Sequence, residues 1–500
     1  MQHDFVRRVA ALALALFLVP AASAVADPNN NNSAKLTAAV TVEGIREHLN
    51  AFQAQADANG GNRFAGLPGH DASAQYVYDR ARAAGYNVRF QEFTYTASED
   101  LSLLVKTAPA PPKQYVRFQD FLGSTTSETG DVTAPLVAVD LNIPSTGGST
   151  SGCEASDFTG FAPGSIALVQ RGTCNFIVKV ANAEAAGAVG VVIFNEGNTP
   201  DRVGLFNPEV SGSTVPVVAA TFTAGDELRG GVTNGTTGNT VRVKVDRFEQ
   251  DLTTRNVIAD SARGDSGNVV VVGAHLDSVL EGPGINDNGS GSGTILEIAE
   301  QMAKVKPRNQ VRFIWFSAEE SGLIGSDFYV DSLTDAERGQ IAAMLNFDMV
   351  GSPNFARFVY DGSVSTAPPG SAAIEDLFNG YFAARGLAFE PTPFDGRSDY
   401  GPFIAAGIPA GGLFTGAEQI KRPDQVPLYG GTAGIAYDPC YHQACDTIAN
   451  VNDVALDQMS DATAHATITL AQNTVTVNGT RGKGNFKPKR ERDPGPSARM

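Results

Sequence analysis

The chain has 500 residues, 42% of them hydrophobic, with 53 glycines, 27 prolines and a formal charge of −17 at pH 7. That length exceeds what one core usually organises, so two domains plus removable ends are expected, and the apolar content excludes an extended disordered polymer. The acidic balance disfavours nucleic acid and anionic membranes as partners, and suits an exported, soluble protein whose carboxylates bind cations.

Residues 1–26 read as a signal peptide: Arg7 and Arg8 precede an apolar run over 9–19 too short to span a bilayer, and two small-x-small sites follow at Ala22-Ser23-Ala24 and Ala24-Val25-Ala26. The mature chain is expected to begin near Val25 or Asp27 and to be secreted, with twin-arginine export open as a route. The Asn-rich stretch 27–34 is expected to be disordered. VEGIREHLNAFQAQA, with Val42, Ile45, Leu49 and Phe52 at helical spacing, predicts a surface helix. A Gly-rich loop, GGNRFAGLPGHDAS, leads to a second helix expected over 73–84 and ended by Gly85, after which NVRFQEFTY alternates as a strand.

From residue 101 to 248 the texture changes to short strands, LSLLV, YVRF, APLVAV, SIALV, VGVVIF, PVVAA and VRVKV, with one helix expected over 177–186. No cluster of His, Asp or Glu marks catalysis there. The segment CEASDFTGFAPGSIALVQRGTCNFIVKVANAEAAGAVGVVIFN resembles the protease-associated domain, a lid-like or substrate-guiding module inserted in exported peptidases; a carbohydrate-binding sandwich is the alternative. Four cysteines in an exported chain favour disulfides, and of the three possible pairings sequence proximity favours Cys153 with Cys174 and Cys440 with Cys445. No Cys-x-x-Cys spacing supports a thiolate zinc site.

From residue 249 to 475 strands and helices alternate, which predicts a mostly parallel sheet covered by helices, with ligands bound beyond the carboxyl ends of the strands. The stretch VVVVGAHLDSVLEGPGINDNGSGSG is the most informative. Its four valines predict a buried strand ending at His275 and Asp277, whose side chains share one side, so that Asp277 can hold one ring nitrogen and leave the other for a metal. Asp287 follows a Gly/Pro loop just before the helix expected over 294–305. A His-x-Asp pair alone is usually solvated loop, and so are adjacent glutamates. Here strand VRFIWF leads to Glu319 and Glu320, AAMLNF leads to Asp348, and the loop CYHQAC supplies His442. Mixed imidazole and carboxylate donors suit zinc better than calcium or magnesium, and two cations can share them across Asp287 while Glu319 serves as general base in amide hydrolysis.

With these residues in place the chain resembles the co-catalytic di-zinc aminopeptidases of metallopeptidase family 28, secreted bacterial leucyl aminopeptidases in particular, over about 35–100 and 250–475. The resemblance implies an α/β, three-layer peptidase domain with a mostly parallel sheet flanked by helices, interrupted by the protease-associated insertion. It assigns one zinc to His275, Asp287 and Asp348 and a second to Asp287, Glu320 and His442. Glu319 takes the base position, Asp277 orients His275, and Tyr441 matches the hydroxyl that steadies the oxyanion. Arg397 matches a residue near the substrate backbone, while Met349, Gly396 and Phe414 match the lining of the pocket for the first side chain. Some relatives bind Ca2+, and Asp457 and Asp461, spaced i,i+4, match two of those ligands. No Asp or Glu lies between Leu36 and Val42, where a third is expected, and an ordinary acidic helix face reads equally well.

The implied activity is a secreted, monomeric zinc exopeptidase acting on peptides or proteins with free N-termini and bulky apolar first residues. A carboxypeptidase or dipeptidase of the same fold needs a basic pocket, for which Arg397 is the evident candidate; a non-catalytic receptor-like protein is opposed by the filled ligand set. Residues 476–500, which include RGKGNFKPKRERDPGPSARM, are expected to be a disordered basic tail.

Overall fold

A computed structural model describes residues 30–482, so the expected signal peptide and most of the expected tail lie outside the described residues. Two units form, one from residues up to Phe93 and from Thr254 onward, the other from Thr94–Thr253. The second is wider at both ends than 101–248, because the long strands Asn87–Asp100 and Arg247–Asp260 run through both boundaries.

In the first unit the valine run 269–272 lies within strand Asp265–His275, inside an eight-stranded sheet. The sheet order is Asn87–Asp100, Arg247–Asp260, Asn309–Phe316, Asp265–His275, Ile341–Phe347, Ala410–Phe414, Phe358–Tyr360, Glu390–Thr392. Its four middle strands are mutually parallel, while Arg247–Asp260 pairs antiparallel to Asn309–Phe316, and Phe358–Tyr360 pairs antiparallel to Ala410–Phe414 and parallel to Glu390–Thr392. The strand period of two sorts the valines between layers. Val270 and Val272 pack with Ile45, Leu49, Phe52, Ile295 and Leu456 from helices on one face. Val269 and Val271 pack with Tyr329 and Phe403 on the other. A sheet clothed on both faces is the three-layer α/β architecture. Parallel strands ending at His275, Phe316 and Phe347 place the next residues of three loops at one edge.

Several local expectations shift. The Asn-rich segment is ordered from Asn30: that residue is buried and donates to the Gln301 carbonyl at 2.9 Å, and Asn32 caps helix Ser33–Ala39. The second helix begins earlier, at Pro68, which suits the first helical position. The helix after Asp287 runs over Gly291–Gln301. Val475–Asn478, at the start of the expected tail, is a helical turn.

The inserted unit is a second eight-stranded sheet, ordered Lys113–Gln114, Leu103–Ala108, Gly235–Val245, Gly130–Ala138, Ile166–Gln170, Gly190–Phe194, Val217–Ala220, Phe121–Gly123. YVRF is not a strand; the flanking residues Lys113–Gln114 and Phe121–Gly123 are strands instead, pairing with Leu103–Ala108 and Val217–Ala220. Besides helix Phe176–Ala185 there is a second, Phe222–Arg229, whose ends carry ordinary signals: the Thr221 side chain accepts from the Ala224 amide, and Gly230 closes it with a left-handed φ of +57°. The Cys153–Cys174 disulfide is formed in this unit.

Candidate metal centre

The residues that follow the three strand ends converge. His275 is buried at the end of its strand, and its Nε2 stands 3.3 Å from Asp287 Oδ1 and 3.3 Å from Asp348 Oδ1. The other oxygen of Asp287, Oδ2, faces His442 Nε2 at 3.2 Å, and that nitrogen lies 3.0 Å from Glu320 Oε2. One carboxylate thus turns each of its oxygens to a different imidazole. Glu319 Oε2 approaches His275 Nε2 at 3.9 Å. Ligand atoms of His275, Asp287 and Glu320, and of His275, Glu319 and Asp348, fall within 4.8 Å of one another. His48, Glu297 and Glu300 form a third such group, but both Glu300 oxygens are taken by Arg80 at 2.5 and 2.8 Å.

Asp277 does more than face the imidazole. His275 Nδ1 lies 3.3 Å from the Asp277 carbonyl and 3.7 Å from its carboxylate, whose two oxygens accept the amides of Glu319 and Glu320, each at 3.3 Å. The same buried group therefore aims one ring and both glutamates. Strain accompanies this placement: Ala318, Met349 and His442 have left-handed φ of +58°, +53° and +55°, a region that disfavours side chains and collects at functional sites.

Charges at the site are mutually dependent. Burial alone would lower the His275 pKa, but Glu319 and Asp348 hold it well above its ordinary value. Burial likewise opposes protonation of His442, and Glu320 and Asp287 raise it. Burial pushes the Glu319 carboxyl well above the carboxylate range against the pull of His275, and pushes Glu320 to about 7. Glu320 Oε1 is buried without a hydrogen-bond partner. Crowded carboxylates, an orphaned oxygen and two convergent imidazole nitrogens are the donor set of divalent cations, with zinc favoured by the histidines.

His442 sits in the loop closed by the Cys440–Cys445 disulfide, with the Tyr441 ring stacked on its imidazole at 3.8 Å between centroids. The centre opens into a cavity of about 390 Å³ lined by Met349, Phe414, Phe358, Tyr360, Arg397 and Tyr441, among others. Gly396 is not among its lining residues; its amide donates to the Tyr400 hydroxyl at 3.0 Å. Arg397 stands 3.6 Å from Glu418. Asp457 and Asp461 lie on helix Asp453–Gln472, and burial together with Asp457 pushes Asp461 to about 6. Among the described residues no third His, Cys, Asp or Glu completes a group with them, and Arg385 is the cation that favours the charged Asp461.

Residues 256–467 match the family model described as Peptidase family M28, and 132–228 match the PA domain. An "Aminopeptidase" of Pseudomonas aeruginosa is 50% identical over 442 residues, covering 87% of this chain and 81% of that protein. The chain belongs to peptidase family M28. Leucine aminopeptidase 2 of Trichophyton equinum is 42% identical over 420 residues, covering 82% of this chain and 80% of that protein. Among solved structures, the aminopeptidase from Aneurinibacillus sp. strain AM-1 superposes with a TM-score of 0.54 at 27% identity, over 92% of this chain and 98% of that one. BSAP, described as a zinc aminopeptidase from Bacillus subtilis, gives 0.51 at 27% identity, over 85% and 94%.

Within this M28 centre several supporting residues carry no signal a sequence pattern could single out. Ser398 donates to Asp348 Oδ2 at 2.6 Å and receives Asn346 Nδ2 at 2.8 Å. Asn288 Oδ1 accepts the amides of Met349 and Gly291 at 3.1 and 2.9 Å, tying the turn after Asp287 to the loop after Asp348. Arg63, fully buried, donates to the carbonyls of Pro283 and Gly284 at 2.8 and 2.5 Å and to that of Leu276, bracing the loop between His275 and Asp287. Arg63 stands in the Gly-rich loop GGNRFAGLPGHDAS, and these partners lie more than 200 residues further along the chain.

Proposed function

We propose that the protein is a secreted aminopeptidase that removes bulky apolar first residues from peptides, using two zinc ions bridged by Asp287. The observation that carries this reading is the division of the Asp287 carboxylate, one oxygen toward His275, whose Nε2 also faces Asp348, and the other toward His442, whose Nε2 also faces Glu320. When bound by these residues, zinc supplies Lewis acidity toward the scissile carbonyl and acidifies a water for attack. Glu319 is the remaining carboxylate; its raised pKa suits a group that takes the water's proton and passes it to the leaving amine. Tyr441 keeps its hydroxyl proton, because burial and then Asp287 and Glu320 raise its pKa well above the ordinary value, so it can donate to the developing oxyanion.

The excess of carboxylates favours a substrate ammonium over a substrate carboxylate at short range. Arg397 faces Glu418, and Arg422 of the same lining pairs with Glu390 and Asp424, which offsets the cations a carboxypeptidase reading would draw on. Met349, Phe414 and the aromatic walls of the cavity accept an apolar first side chain, each methylene adding about 1 kcal/mol until the space is full. Calcium at Asp457 and Asp461 has no such support. The test is a panel of leucyl, phenylalanyl, alanyl and glutamyl anilides with and without N-acetylation, together with zinc content. Leucyl and phenylalanyl substrates with free amines are expected to be fastest and two zincs to be present; faster cleavage of acetylated or acidic substrates would overturn the specificity, and a single zinc in active protein would overturn the metal count.

A further inference from the structure

Three consecutive backbone amides of the turn that delivers Asp287 end on one residue of the His442 loop. The Ile285 amide donates to the Asp446 carbonyl at 3.0 Å, that of Asn286 to Asp446 Oδ1 at 2.8 Å, and that of Asp287 to Asp446 Oδ2 at 2.9 Å. Asp446 is 1% exposed and follows Cys445 directly, so the group that receives the turn is anchored by the bond that closes the loop around His442. Asn450 Nδ2 donates to Asp446 Oδ1 at 3.1 Å and to both oxygens of Asp438 at 2.9 Å, and Asp438 accepts Asn286 Nδ2 at 2.6 Å. The loop also presses on the opposite strand of chain: a Cβ at Gly282 would stand 2.4 Å from the Gln443 carbonyl oxygen.

The chemistry of the acceptor matters. A carboxylate offers two acceptor oxygens and no donor, and its bonds to backbone N–H are charge-assisted. An asparagine there would set its own N–H₂ against one of the amides, while a buried carboxylate with weaker partners would be disfavoured by desolvation. An aspartate that gathers these amides joins two places in the chain 159 residues apart.

We propose that Asp446 is a positioning residue that holds Asp287 and His442, two protein ligands of one metal position, in register with each other before any ion binds. This rests on the two-metal reading. The experiment uses the full-length chain and Asp446→Asn, with Gln443→Ala, whose exposed side chain donates to the Pro439 carbonyl, as a variant in the same loop that leaves the three amide bonds and the Asn450 contacts in place. Hydrogen exchange is followed in metal-stripped protein, and zinc retention is followed in a chelator titration. In Asp446→Asn, protection at 286 and 287 is expected to fall about ten-fold or more, as expected for losing a charge-assisted bond, while 269–275 keeps its protection. One of two zincs should also leave at about ten-fold lower chelator concentration than in the parent protein. Gln443→Ala should stay close to the parent in both measurements. Unchanged exchange at 286 and 287, or an equal loss of protection throughout the sheet, would overturn the proposal, as would parallel loss of both zincs. If the parent protein holds one zinc, the two-metal reading falls while the exchange arm still decides the role of Asp446. Should Asp446→Asn not fold, Asp446→Ser, whose hydroxyl accepts one of the two amides, is measured with the same expectations.

Discussion

The two halves of the centre are held in different ways. His275, with a side chain 1% exposed, ends a strand that is hydrogen-bonded on both sides within a double-faced core. His442, 37% exposed, sits in a loop outside the sheet, kept by a disulfide, by Asp446 and by close packing on Gly282. Asp287 belongs to both. The comparison teaches that a shared site needs no shared scaffold: burial and strand register position one imidazole, and covalent closure with a few charge-assisted bonds positions the other.

The largest expected effect separates chemistry from ligation within one pair of residues. Glu319→Gln should retain both metals and lower kcat by about 10² to 10⁴, the usual loss on removing a general base, whereas Glu320→Gln should release the ion on the His442 side. Zinc analysis beside kcat measurements checks this, and equal metal loss in both variants would mean that the two glutamates do the same job.

A smaller effect contrasts the two disulfides. Replacing Cys440 and Cys445 by Ser opens a loop with a sequence separation of 5, for which chain entropy accounts for about 2 kcal/mol, and replacing Cys153 and Cys174 opens one of 21, for about 3 kcal/mol. The first variant should lose metal from the His442 side despite the smaller loss of stability. The second should keep its metal content. Denaturant melts paired with metal analysis would show the opposite ranking if the loop half were held by packing alone.

The smallest effect is a displacement along the pH axis. In the metal-free protein burial raises the Glu319 pKa, so its carboxylate form is present above that raised value and lost as pH falls through it. Titration of the Glu319 carboxyl in metal-stripped protein should therefore fall above about 4.3, the ordinary glutamate value, and the same titration should be missing from Glu319→Gln. A Glu319 midpoint at or below the ordinary value in the stripped protein would show that burial does not govern this carboxyl.

The strand-held half was the more legible in the sequence. Four valines, a glycine and a histidine announce a buried strand with a polar end, and the same logic brings Glu319, Glu320 and Asp348 to neighbouring strand ends. The loop-held half was legible only as a cysteine-bracketed histidine. Asp446, Arg63, Ser398 and Asn288 act through hydrogen bonds to partners far along the chain, and such bonds leave no local period or spacing. In the inserted unit helix Phe222–Arg229 is short and hid among strands, although its threonine cap and terminal glycine were in view. The ordered Asn30 likewise depends on a carbonyl 271 residues distant.

The left-handed backbone at Ala318, Met349 and His442 bears on how this protein can change. Each such residue is held against a preference of about 1 kcal/mol or more that glycine would relieve. At Ala318 that relief removes only a methyl group. At Met349 it erases a wall of the cavity, and at His442 it erases the imidazole itself. Selection for thermal robustness and selection for turnover therefore pull in opposite directions at two of these three positions, so stabilised variants would be expected to accumulate glycine at 318 and to leave 349 and 442 untouched.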